Sequence, residues 1–257
     1  MIERTSFPKP RILARGSAGS IAYHKTPGRS PGIMFLGGFM SDMTGTKATA
    51  LEAFAREHGQ AFVRFDYRGH GQSSGRFTDG TIGGWAEDAT AVLDNVAEGP
   101  QVLVGSSMGG WIMLLVALAR PERVSALVGI AAAADFTEDL MWEQYPPELR
   151  KRLIREGLYR QPSDYADEPY PITLQLIAEG RKHLLLRGPI AIACPVRLLH
   201  GMVDADVPWR VSVALAERLT STDVELILVK DGDHRLSEPA DLARLTGVIA
   251  ALCDRFA

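Results

Sequence analysis

The stretch VLVGSSMGGWIMLL, residues 102–115, joins a short apolar run, a glycine-flanked pair of serines and a longer apolar run. The first run has the length of a buried strand, and the last has the length and all-round hydrophobicity of a buried helix. The serines therefore stand at a strand-to-helix turn. A serine at the apex of so tight a turn needs small residues two places before and two places after it, and the helix beyond aims its first backbone N–H groups at the site. Ser107 meets this demand, with Gly105 and Gly109 at the close-approach positions. Ser106 would place Val104 and Met108 there, and both are too bulky.

The Gly-x-Ser-x-Gly spacing alone carries little weight, because it occurs three times. GRSPG, residues 28–32, runs through Pro31 into a strand, and GQSSG, residues 71–75, runs into another turn. Neither is followed at once by the helix the geometry requires. Ser30 and Ser73 are thus expected in loop glycine clusters, and Ser107 is the expected nucleophile.

Outward from this turn the chain repeats the same rhythm. Apolar runs at residues 32–36, 61–65, 101–105, 125–130, 196–201 and 224–229 alternate with segments of helical period, which predicts β-α repeats around a mostly parallel central sheet with helices on both faces. Within residues 81–98, Ile82, Trp85, Ala89, Val92, Leu93 and Val96 recur three or four apart behind Thr81, a ready N-cap. RILAR and SIAYH, separated by Gly16 and Gly19, predict an N-terminal antiparallel hairpin. The rhythm fails at about residues 133–189, where Pro146, Pro147, Pro162, Pro169 and Pro171 break short helical pieces among Phe136, Trp142, Tyr145, Tyr159, Tyr165 and Tyr170. This predicts a mostly helical lid inserted over the C-terminal edge of the sheet, where open α/β sheets hold their sites. At 257 residues the chain is expected to form a single domain.

A serine hydroxyl attacks only when a base takes its proton and donors await the oxyanion. Of six histidines, His234 in KDGDHR follows the last strand and is the expected base; His200 ends a strand, and His183 falls in the insertion. HGMVDADVPW, residues 200–209, offers Asp204 and Asp206 in the loop after a strand. Asp204, nearer the strand end, is preferred as the acid that orients the imidazole. Asp231 and Asp233 read as turn residues or surface charge. Two backbone donors are expected for the oxyanion: the N–H of Met108, next to the nucleophile, and that of Phe39 in LGGFMSDM, where Gly37 and Gly38 allow a close backbone approach.

Composition narrows the class. A net charge of −3 gives no case for nucleic acid. Arg150, Lys151, Arg152 and Arg155 share a segment with helical apolar spacing and read as a solvated face. Cys194 and Cys253 lie far apart in apolar contexts and read as reduced, buried thiols, neither a disulfide nor a metal pair. The first sixteen residues carry charges and prolines where a secretory signal needs an apolar core, and no stretch is long and apolar enough to span a bilayer. A cytoplasmic location is the expectation.

Taken together, GSSMGG, HGMVDADVPW, GDHR and DYRGHGQSSG resemble the α/β-hydrolase superfamily over nearly the whole chain. GFMSDMTGTKA, VRFDYRGHGQSSG, RLLHGMVDADVPW and STDVELIL are most similar to its branch of mitochondrial depalmitoylating thioesterases and acyl-glucuronide esterases. The resemblance implies the α/β-hydrolase fold and a catalytic set of Ser107, Asp204 and His234. It also implies thioester or activated-ester substrates, either small molecules or acyl-proteins, and no cofactor. Two features depart from the pattern: Gly37-Gly38 replaces the usual histidine-glycine of the oxyanion loop, and the N-terminus shows no organelle-targeting segment, which suggests a bacterial or cytosolic relative. The same three residues would also suit a C–C bond hydrolase or a perhydrolase, and a silent small-molecule receptor is the alternative outside enzymes. A dehalogenase would need a carboxylate at position 107.

Overall fold

A computed structural model of the protein describes residues 9–162 and 168–256. Among the described residues ten strands form: β1 Arg11–Ala14, β2 Ser20–Thr26, β3 Arg29–Leu36, β4 Gln60–Phe65, β5 Gln101–Ser106, β6 Val124–Ile130, β7 Leu158–Gln161, β8 Tyr170–Thr173, β9 Val196–Gly201 and β10 Val224–Val229. Eight of them make one sheet in the order β1-β2-β4-β3-β5-β6-β9-β10. The β1-β2 and β2-β4 pairs are antiparallel and the rest are parallel. The hairpin and every predicted strand of the repeat are present. Ser30 differs from expectation: it lies inside β3 and not in a loop, because Arg29 already pairs with Gln60.

Alternation along the central strands loads both faces of the sheet with apolar side chains, which is why these strands read as unbroken hydrophobic runs. Met34, Leu36, Leu103 and Leu127 face helices α2 (Ile82–Asn95) and α3 (Met108–Ala119). Ile33, Phe35, Val102 and Val128 face α1 (Thr46–Glu57) and the C-terminal helix (Pro239–Arg255). Thr81 caps α2 by accepting the Gly84 N–H at 3.1 Å, as the sequence predicts. α3 is buried on nearly every side, with Trp111 fully enclosed and its Nε1 donating to the His183 carbonyl at 3.1 Å.

The interruption between β6 and β9 holds a wide π-type turn (Thr137–Trp142), α4 (Pro147–Glu156), the β7-β8 hairpin and α5 (Leu174–Gly180). The hairpin was not foreseen. Pro171 hides it from a sequence reading, yet a two-stranded ribbon consists only of edges, where a missing N–H is tolerated. Tyr145, Leu153, Ile172 and Ile177 form a separate small core within the insertion, which meets the main body through Phe39 and Met141. Tyr165 lies outside the described residues. The ends of the insertion are drawn together by the fully buried Asp135, whose carboxylate accepts the Leu185 and Leu186 N–H groups at 2.8 and 2.9 Å. The basic cluster on α4 is a solvated face, its Lys151, Arg152 and Arg155 paired with Glu148 and Glu156. Among the described residues no helix is long and apolar enough to cross a membrane.

Candidate active site

Ser107 stands at the apex of the β5-to-α3 turn with φ 54° and ψ −120°. A non-glycine residue in this region stores about 1–3 kcal/mol of backbone strain, so its surroundings must hold it there. Three backbone bonds do so. Ser107 N–H donates to Ile130 O at 2.9 Å, and Ser107 O accepts from Gly110 N–H at 2.9 Å and Ala133 N–H at 3.0 Å. A β-carbon at position 105 would strike the Gly109 carbonyl, and one at 109 would strike the Leu36 carbonyl. Both glycines are therefore set by close approach, as their spacing predicts.

His234 reaches the serine from the loop after β10. Its Nε2 lies 3.1 Å from Ser107 Oγ, and its Nδ1 lies 2.8 Å from Asp204 Oδ2. The two loops are brought together where Gly201 ends β9: a β-carbon there would strike the Gly232 carbonyl, which itself accepts the Val203 N–H at 3.1 Å. Asp233 shapes the turn by accepting the Arg235 and Leu236 N–H groups at 3.0 and 2.9 Å, the turn role its sequence context predicts.

Asp204 has no exposed side-chain surface. Burial by itself would raise its pKa. Hydrogen bonds from His200 and His234, the charge of His234 and the Val207 amide outweigh that and hold the carboxyl well below the usual carboxylate range. Oδ1 accepts the Asp206 and Val207 N–H groups at 2.9 and 2.8 Å. Asp206 is exposed at the cavity rim and does not occupy the orienting position. Asp204, Asp206 and His234 bring three ligand-type atoms within 4.8 Å, but the Asp204 oxygens are already committed to amides and imidazoles.

Sequence reasoning gave His200 no more than a structural place. It is fully buried, with Nε2 3.1 Å from Asp204 Oδ2 and 2.9 Å from the Val207 carbonyl, and Nδ1 2.7 Å from Ser212 Oγ. Because Nε2 faces two acceptors, it carries a hydrogen, while Nδ1 and the Ser212 hydroxyl form the other hydrogen bond of the ring. The His-x-x-x-Asp spacing in HGMVD was the available signal.

The loop after β3 lies against the serine, and a β-carbon on Gly38 would sit 3.4 Å from Ser107 Cβ. Met43 anchors this loop: Asp66 Oδ1 accepts its N–H at 2.7 Å and Arg64 Nη1 donates to its carbonyl at 2.6 Å. The Phe39 ring packs edge-on against Phe77, Phe136, Tyr170 and Trp85 at 4.9–6.0 Å. Among the described residues, neither the Phe39 nor the Met108 N–H donates to a backbone acceptor outside regular helices and strands.

Phe39, Met108, Ser107 and His234 all line one cavity of about 500 Å³. Its lining joins the apolar side chains of Phe136, Leu140, Met141 and Tyr170 of the insertion to the polar ones of Ser41, Asp42, Thr46, Lys47, Asp206, Arg235 and Ser237. A larger groove of about 1330 Å³ runs past Arg15, Arg76, α2 and His183, but holds none of these reactive groups. His183 pairs with Glu179 at 2.6 Å and faces that outer groove, away from Ser107. Ser73 donates to the Asp66 carbonyl at 2.6 Å and accepts the Ala22 N–H at 2.8 Å, so it staples a loop to β2.

Comparison with known proteins places this architecture. The chain is 46% identical over 245 residues to the mitochondrial palmitoyl-protein thioesterase ABHD10 of Bos taurus, covering 95% of this chain and 80% of that one. The human protein of the same name shows the same identity and coverage. Among solved structures, alpha/beta hydrolase domain-containing protein 10 from mouse superposes with a TM-score of 0.91 at 45% identity, over 97% of this chain and all of that one. A putative hydrolase from Agrobacterium vitis S4 gives 0.90 at 42% identity, over 95% and 97%. These relatives overturn the cytoplasmic expectation, since the curated ones are named as mitochondrial. Charge, cysteine state and the lack of a membrane helix describe the folded domain, whereas a compartment is chosen by sorting signals that play no part in that fold. Residues 34–175 match the family described as the alpha/beta hydrolase fold, and with relatives this similar along almost its whole length the chain belongs to that family.

Proposed function

We propose that the protein is a serine hydrolase that cleaves carboxylic thioesters or esters through an acyl-enzyme on Ser107. The observation that carries this reading is the hydrogen-bonded row from Ser107 Oγ through His234 to Asp204 Oδ2, whose Ser107 and His234 line one cavity. Ser107 Oγ attacks the carbonyl carbon while its proton passes to His234 Nε2, and Asp204 stabilises the imidazolium. The amides of Phe39 and Met108 donate to the oxyanion, each contributing about 3 kcal/mol to lowering the barrier. Collapse of the tetrahedral intermediate expels the thiol or alcohol, which takes the proton from His234. Water, deprotonated by the same imidazole, then releases the acid and restores the serine.

Residues 133–189 act as a lid in a single domain spanning residues 1–257, and the apolar side chains that the lid adds to the cavity wall take the acyl chain. Similarity to mitochondrial palmitoyl-protein thioesterases favours the thioester among the possible bonds, and over C–C cleavage or perhydrolysis. The test is an acyl-chain series of thioesters against matching oxygen esters, with fluorophosphonate labelling in parallel. Ser107→Ala is expected to abolish labelling and to lower turnover by about 10⁴-fold or more. Labelling or turnover that survives the substitution would refute Ser107 as nucleophile, and a profile equal for both ester types would remove the thioesterase preference.

A further inference from the structure

The Gly38 carbonyl accepts twice from one residue. Ser41 Oγ donates to it at 2.8 Å and the Ser41 N–H at 3.3 Å, so the hydroxyl makes the tighter of the two bonds that close the turn over Phe39 and Met40. This turn is strained. Met40 sits at φ 56°, in the left-handed region that a non-glycine residue enters only when it is held there, and its exposed side chain supplies little of that hold.

The Gly38 oxygen and the Phe39 N–H belong to one peptide unit. That unit is trans, so the two point in opposite directions, and whatever fixes the oxygen also aims the amide. Gly38 lies against the nucleophile: a β-carbon there would sit 3.4 Å from both Ser107 Cβ and the Ser106 carbonyl oxygen. Lacking a side chain, Gly38 leaves the unit free to rotate about the line joining its two Cα atoms. The Phe39 ring, packed on Phe77, Trp85, Phe136 and Tyr170, fixes where Phe39 stands but not that rotation. A rotated unit would turn its oxygen, and not its N–H, toward a developing oxyanion. The Ser41 hydroxyl opposes this, and a carbonyl that accepts a hydrogen bond also polarises its amide into a better donor. Position 37 is matched to the same hydroxyl. Among the described residues, and apart from its chain neighbours, a β-carbon on Gly37 would meet only Ser41 Oγ, at 3.0 Å, so the bare glycine leaves the hydroxyl its place.

We propose that Ser41 is a positioning residue: its hydroxyl locks the Gly38–Phe39 peptide so that the Phe39 N–H faces the oxyanion formed beside Ser107. This rests on the hydrolase reading above and adds to it the group that holds one oxyanion donor in place. Charge builds on the substrate oxygen only on the way to a tetrahedral intermediate. Acylation and deacylation both pass through one, so the contribution of Ser41 falls on kcat and leaves KM little changed.

The test compares wild type, Ser41→Ala and Ser41→Thr on the butanoyl thioester of N-acetylcysteamine and on 1,1,1-trifluoropentan-2-one, a ketone of the same chain length whose adduct with Ser107 carries an oxyanion. Ser41→Ala is expected to lower kcat by about tenfold, a part of the roughly 10²- to 10³-fold loss that follows outright removal of an oxyanion donor. KM stays within about twofold, and inhibition by the ketone weakens by the same factor as kcat. The acid limb of the pH–rate profile stays in place, since the hydroxyl is bonded to Gly38 and not to the His234–Asp204 pair. Ser41→Thr, which keeps the hydroxyl, recovers the rate in part. Gly37→Ala, whose methyl group crowds that hydroxyl, lowers kcat by itself but adds little to Ser41→Ala. An unchanged kcat, a loss confined to KM, or equal losses in Ser41→Ala and Ser41→Thr overturns the proposal, while fluorophosphonate labelling of Ser107 leaves the hydrolase intact. No turnover by wild type, together with failure to label Ser107, overturns the hydrolase reading and this proposal with it.

Discussion

His200 Nε2 and His234 Nδ1 converge on a single atom, Asp204 Oδ2, at 3.1 and 2.8 Å. One carboxylate oxygen thus serves two imidazoles, one enclosed in the core and one facing Ser107. The buried one contributes a fixed donor that lowers the basicity of Asp204 and sets its rotamer. His200→Leu removes that donor, and His200→Gln can replace it with an amide N–H. A hydrogen bond to a charged group contributes about 1.5–3 kcal/mol. We expect kcat for a short thioester to fall by about tenfold or more in His200→Leu with KM little changed, and to recover in part in His200→Gln. In the leucine variant the acid limb of the pH–rate profile moves to higher pH, since a more basic Asp204 holds the imidazolium more tightly. Rates and a pH profile equal to wild type would reduce His200 to a packing residue.

The depressed Asp204 also leaves a signature in stability. Its folded pKa lies below that of the unfolded carboxylate, about 3.9, so the group stabilises the fold above that value and the contribution is lost as pH falls below it. Asp66, Asp88 and Asp135 are raised by burial and titrate in the opposite sense, but a comparison between wild type and Asp204→Asn cancels them. Urea midpoints are expected to differ more at pH 7 than at pH 3, by about 1 kcal/mol in unfolding free energy. A difference independent of pH would mean that the two imidazoles do not hold this carboxyl in its charged form.

Asp135 ties the two ends of the insertion to each other. Its carboxylate receives two amides from the far end, and its own backbone sits at φ 60°, a region asparagine tolerates better than alanine does. Asp135→Ala leaves two partly buried N–H groups without their carboxylate acceptor, at about 1 kcal/mol each. Asp135→Asn keeps one acceptor and the backbone preference, so its loss is expected to be about half as large. Thermal unfolding and limited proteolysis should rank the three proteins in that order, with new cuts inside residues 133–189 appearing first in the alanine variant. Indistinguishable proteolysis patterns would show that the insertion is anchored elsewhere.

The order of elements was legible because each has a local cause. Gly105 and Gly109 announce the turn at Ser107 through contacts that a β-carbon would make with backbone one strand or one helical turn away. Thr81 announces the start of α2 through its own hydroxyl. Ser107, His234 and Asp204 could be located because each follows a strand at the same edge of a parallel sheet, so topology brings them together even from 127 residues apart. What escaped depends on non-local contacts. The β7-β8 hairpin has proline in its pairing register, and the contact of His200 with Asp204 and Ser212 arises from groups that only the folded chain sets beside it. The aromatic residues of the insertion divide the same way: Tyr145 and Tyr159 pack 6.0 Å apart in its core, whereas Phe136 and Tyr170 reach the cavity, and spacing alone does not separate the two sets.

That division can be tested on the apolar side chains of the lid. Leu140 lies on the cavity wall, half-buried, in the π-type turn at the start of the insertion, and it also packs on the main apolar core. A tryptophan there takes space that a chain would otherwise fill, and overpacking of this kind costs about 1–3 kcal/mol. That cost falls only on substrates long enough to meet the new ring. Leu140→Trp is therefore expected to lower kcat/KM for octanoyl and longer thioesters by about 10- to 100-fold, while acetyl thioester turnover and fluorophosphonate labelling of Ser107 persist. Equal losses at every chain length would place the acyl chain somewhere other than beneath the insertion.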